Sequence, residues 1–89
     1  MKSTEYPAVL QCLIQARMRA GLTQQQLAVR IAQPQSFVSK YETGKRRLEI
    51  TEFLHILFRI DADPHVVLAE IIEAAPGLKV RRRRRPKRT

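Results

Sequence analysis

Gln35, Ser36, Ser39 and Lys40 are the side chains whose types and spacing best suit chemistry with a partner. On a helix they share one face, and no carboxylate follows until Glu42. Short side chains let a helix approach the floor of the DNA major groove. A glutamine amide can pair with adenine N6 and N7, and a lysine can meet a guanine edge or a phosphate. The same residues also describe an ordinary solvated helix face, and residue type alone does not separate the two. Helix starts at Gln24 and at Pro34 or Gln35 would add free backbone N–H groups suited to phosphate oxygens. The run Lys45, Arg46, Arg47 follows directly, in a loop.

Other chemistries find little support. His55 and His65 lack the spacing of a zinc site, and Ser36 and Ser39 have no histidine close by in sequence. The three glycines each close a helix or turn, so there is no glycine-rich phosphate loop. No catalytic residues, metal ligands or cofactor are therefore expected. The lone Cys12, set among Val9, Leu10, Leu13 and Ile14, reads as a core thiol in a reducing cytosol.

The elements that must position these residues are helical nearly throughout. Val9, Leu10, Leu13 and Ile14 recur at helical spacing and predict a first helix from about Pro7 to Ala20, stopped by Gly21. Thr23 with Gln26 is a capping-box pattern opening a short second helix, whose inward face is Leu27, Ala28 and Ile31. Pro34 forces a break around Ala32 and Gln33 and can serve as the first residue of a third helix, which buries Val38 and Tyr41 and stops at Gly44. Ile50, Phe53, Leu54, Leu57 and Ile60 mark a fourth helix over roughly Thr51 to Arg59. Asp63 and Pro64 start a fifth, with Val66, Val67, Leu68, Ile71 and Ile72. Phe37 has two readings: it meets a thymine methyl, or it packs beside Val38 and Leu48. Packing is favoured because exposed aromatics cost solubility.

Eighty-nine residues allow one small domain and a tail. The formal charge of +9 is unevenly spread. Residues 17 to 47 carry Arg17, Arg19, Arg30, Lys40, Lys45, Arg46 and Arg47 against Glu42 alone. Residues 48 to 78 carry Arg59 against Glu49, Glu52, Asp61, Asp63, Glu70 and Glu73. Residues 79 to 89 hold eight cations and no acid, including the run Arg81 to Arg85. Such asymmetry points to a polyanion partner. With Val80 the only apolar residue after Leu78, the tail has too little to bury to offset the entropy of ordering. No apolar run is long enough to span a membrane and no signal peptide is evident, which makes a cytoplasmic location the expectation.

Two stretches carry a resemblance: Arg17-Met-Arg-Ala-Gly-Leu-Thr-Gln-Gln-Gln-Leu-Ala, and Pro34-Gln-Ser-Phe-Val-Ser-Lys-Tyr-Glu-Thr-Gly-Lys-Arg-Arg. Together they resemble the helix-turn-helix domain of the phage repressor and Cro family, also called the xenobiotic response element (XRE) family, from about Val9 to Leu68. The resemblance implies that Gln35 and Ser36 read base edges and that Lys40, one turn further along the same face, makes a base or a phosphate contact, with Ser39 the remaining candidate base contact on that face. It implies a phosphate contact by Gln24, which often braces the first reading residue in relatives. Lys45, Arg46 and Arg47 fall in the loop that tracks the backbone, and Arg17 and Glu42 match a partly buried salt bridge that orients the recognition helix. Ala32 and Gln33 depart from the glycine and aliphatic residue common in the turn, and Pro34 replaces the usual serine.

The expectation is an all-α, five-helix, lambda-repressor-like domain over residues 7–75, with the helix-turn-helix at about 23–43 and a basic disordered tail over 76–89. Its expected function is sequence-specific binding of double-stranded DNA as a transcriptional regulator. More narrowly, it would be a repressor that binds a palindromic operator as a homodimer through helix five and the end of helix four. The alternative is an antitoxin or adaptor whose main role is to bind a partner protein, with DNA binding secondary.

Overall fold

Several helix boundaries sit at a residue whose backbone preference ends or begins a turn. The structure is a computed structural model describing residues 5–78, and its regular elements there are all helical. Helix α1, Glu5–Arg19, starts two residues before the expected Pro7. Pro7 remains in the first turn, where its missing N–H has no partner to lose. Gly21, at φ +75°, stops the helix in the left-handed region. Helix α2, Gln24–Arg30, opens on the expected capping box: Thr23 Oγ1 accepts from Gln26 N at 3.0 Å, and Gln26 Oε1 accepts from Thr23 N at 2.9 Å.

The break before α3, Gln35–Glu42, differs from expectation in one respect. Pro34 is the N-cap and not the first helical residue, with φ −65° and ψ 154°. Its ring fixes φ only, and the extended ψ redirects the chain after Ala32, which lies in the left-handed region at φ +56°. Gly44 (φ +83°) ends α3. Helix α4 spans Ile50–Arg59, and Asp61 (φ +58°) turns the chain into α5, Pro64–Ala74. There Asp63 accepts from His65 N at 2.9 Å and Pro64 takes the first helical position, both as expected.

α2 packs on α3, while α1 lies against α3 and α5, and α4 meets α5. Leu13, Leu27, Val38, Tyr41, Ile56, Leu57 and Val67 fill the centre, each almost fully buried. Every such aliphatic side chain contributes about 1.5–3 kcal/mol by leaving water. Cys12 is buried among them, and burial, reinforced by Glu70, pushes its thiol above the ordinary range, so it packs as a neutral group. The buried Tyr41 hydroxyl has no hydrogen-bond partner among the described residues, and desolvation likewise raises its pKa.

The apolar sets that mark α4 and α5 are not buried throughout. Ile50, one of the apolar set that marked the fourth helix, is the first residue of α4 and is 65% exposed. On α5, Val67 and Ile71 point inward one turn apart, while Leu68 and Ile72 form the next stripe and Val66 lies on a further side, all three exposed. The chain also stays folded past Ala75: Pro76–Leu78 make a 3-10 turn that packs on α1 and α5. The rest of the expected tail, residues 79–89, lies outside the described residues.

Candidate nucleic-acid interface

The exposed face of α3 is held by a chain of side-chain hydrogen bonds that starts in the interior. Arg17, near the end of α1, donates from Nε to Glu42 Oε2 at 2.8 Å and from Nη2 to Glu42 Oε1 at 3.1 Å. Its Nη1 donates to Leu22 O at 2.9 Å, so all three nitrogens are engaged. The pair is sheltered, with 14% of the Arg17 side chain and 4% of the Glu42 side chain exposed. This is the contact implied above, and it joins α1 to the C-terminal end of α3.

Glu42 passes the restraint outward. Its Oε1 also accepts from Gln24 Nε2 at 2.8 Å, and Gln24 Oε1 accepts from Gln35 Nε2 at 2.7 Å. Gln24 therefore does brace Gln35, and its own amide is committed to the protein at both ends. Gln35, at the exposed start of α3, spends one of its two amide N–H groups on Gln24. One N–H and the carbonyl oxygen remain without partners among the described residues, the donor and acceptor set that a base edge such as adenine N7 and N6 requires.

Ser36 and Lys40 are exposed beside Gln35, and Ser39 is half-buried on the same helix. The α3 carboxylate, Glu42, is turned inward, which leaves the outer face of the helix without an anion. The basic loop then divides. Lys45 is exposed and forms no ion pair among the described residues. Arg47 lies 4.3 Å over the ring of Tyr6, whose hydroxyl accepts from Leu48 N at 3.0 Å. Arg46 instead forms a two-pronged pair with Glu52, with both N–O distances 2.9 Å. That pairing pulls the Glu52 carboxyl below its ordinary range, helped by the Glu49 N–H bond.

Phe37 takes the packing reading, half-buried, edge-on to Tyr41 with centroids 5.7 Å apart and covered by Arg46 at 4.7 Å. Tyr6 and Glu52 were not singled out from sequence. Neither belongs to the helix-turn-helix stretch, and their partners lie in the loop between α3 and α4. The one local signal for Glu52 is its place three residues after Glu49, where it closes a capping interaction with Glu49 N at 2.9 Å.

Comparison with known proteins agrees with this geometry. A family model described as a helix-turn-helix domain matches residues 11–69. The fold is similar to that of a solved structure, an XRE-family like protein from Pseudomonas syringae pv. tomato str. DC3000, with a TM-score of 0.72 and 43% identity. That likeness covers 78% of this chain and 84% of the other. No curated protein matches the chain.

Proposed function

We propose that this chain, which belongs to the XRE-type helix-turn-helix family and is thus a DNA-binding regulator, acts as a sequence-specific repressor that binds a palindromic operator as a dimer. The observation that carries the specificity is the Gln24-braced amide of Gln35. An amide with one donor and one acceptor left over, held at the exposed start of an anion-free helix, reads a base edge with little entropy left to lose. Ser36, Ser39 and Lys40 extend that face, and Lys45 and the helix starts meet the phosphates.

The dimer reading draws on the outward stripe of α5. Leu68 and Ile72 are 40% and 45% exposed, and Leu68 shares an apolar groove with Ile50 and Leu78. The proposed seam therefore combines α5 with the start of α4, where the sequence suggested its end. A symmetric pair would set two recognition helices about 34 Å apart, one turn of DNA.

Selection of bound sequences from a random duplex pool tests the proposal. A recovered palindrome with half-sites one helical turn apart is the expected result. A pool that stays random would remove sequence-specific reading and favour the adaptor or antitoxin alternative, in which the apolar stripe of α5 meets a partner protein.

A further inference from the structure

Of the three consecutive cations in the loop after α3, one is already neutralised within the fold. Arg46 donates from Nη1 and Nη2 to the two oxygens of Glu52, each at 2.9 Å, and Nη1 also reaches Arg47 O at 3.1 Å. Its guanidinium stacks on Phe37, a residue of the recognition helix. The Glu52 carboxylate is fixed in turn by Glu49 N on its Oε1. A phosphate taking Arg46 would have to break a two-pronged charged pair and lift the guanidinium off an aromatic face, whereas Lys45 has no such partner to give up.

We infer that Arg46 is a positioning residue rather than a phosphate ligand, and that Glu52 is the carboxylate that withholds it, leaving Lys45 as the loop cation with neither a carboxylate nor an aromatic partner to give up, and Arg47, stacked on Tyr6 but unpaired with any carboxylate among the described residues, as the second. The inference rests on the DNA-binding reading and deepens it. A free arginine beside the recognition helix would add affinity for every duplex alike, because phosphate contacts carry no sequence information. Pairing it with Glu52 removes that sequence-blind gain and uses the guanidinium to seat Phe37 and the first turn of α4. Glu52 is thus a determinant of the ratio of specific to random binding although it touches no base.

The test is the salt dependence of binding to a random-sequence duplex, measured by fluorescence anisotropy for the full chain and three variants. Lys45→Ala should make the slope of log K against log salt shallower by about 0.9, the loss of one phosphate contact. Glu52→Gln keeps an oxygen for Glu49 N but removes the negative charge and the Oε2 prong that hold Arg46, and should steepen the slope by up to about 0.9 and tighten random-duplex binding several-fold. The double variant Arg46→Met with Glu52→Gln removes the pair as a unit and should leave the slope at its wild-type value. If Glu52→Gln changes nothing and the double variant loses a full contact, Arg46 meets phosphate and the inference is overturned. If the unmodified chain shows no salt-dependent duplex binding, the DNA-binding reading itself fails, and the inference falls with it.

Discussion

A glutamine discriminates between bases only if its amide is prevented from rotating, and Gln35 is restrained through Gln24, Glu42 and Arg17 in series. Gln35→Ala should cost about 1–3 kcal/mol on the preferred site and almost nothing on random DNA, measured by titration of both duplexes. Equal losses on the two would reduce Gln35 to a backbone contact. The interior end of the series is a matter of stability. Glu42→Ala leaves the sheltered Arg17 guanidinium without its carboxylate and should destabilise the fold by about 3 kcal/mol in urea unfolding. A loss below 1 kcal/mol would mean that solvent reaches Arg17 and replaces the pair. Both residues were legible in the sequence through the resemblance. The Arg46 and Glu52 pair was not, because it bridges a loop into the next helix, at a separation that no helical period marks.

At the level of elements, local backbone chemistry wrote most of the boundaries. Gly21, the Thr23 and Gln26 box, Gly44 and the Asp63–Pro64 start all act within a few residues, and the structure keeps each of them. The turn between α2 and α3 is the exception. Ala32 occupies the left-handed region where the resemblance expected glycine, at a steric cost of about 1–2 kcal/mol for a residue with a Cβ. Ala32→Gly should therefore raise stability by about 0.5–1 kcal/mol after the extra entropy of glycine in the unfolded chain is offset. Thermal and urea melts of the variant measure this. A drop in stability would mean that the Ala32 methyl makes contacts worth more than the strain.

For the whole molecule, association and long-range charge are decisive. Leu68 and Ile72 form an exposed apolar stripe, so Leu68→Glu with Ile72→Glu should give a helical monomer by sedimentation and weaken operator binding at least tenfold. A parent chain that remains monomeric at high concentration with operator DNA present would remove the seam. Removing residues 79–89 takes away eight cations. The slope of log K against log salt should then become shallower by several units, at about 0.9 per contact, with the ranking of DNA sequences unchanged. An unchanged slope would direct the arginines to another partner, and an altered ranking would place them in a groove.

Sequence by itself determined the helical class, the order of five helices, the acid-free recognition face and the uneven charge, because each depends on residues close together along the chain. Tertiary structure decided which of those residues are free to act. It turned Glu42 inward, divided the apolar set of α5 between core and surface, exposed Ile50, and tied Arg46 to Glu52. These outcomes depend on how one helix is rotated against its neighbours. Hydrophobic periodicity fixes that rotation only to a broad stripe, and close packing together with hydrogen-bond geometry sets the rest.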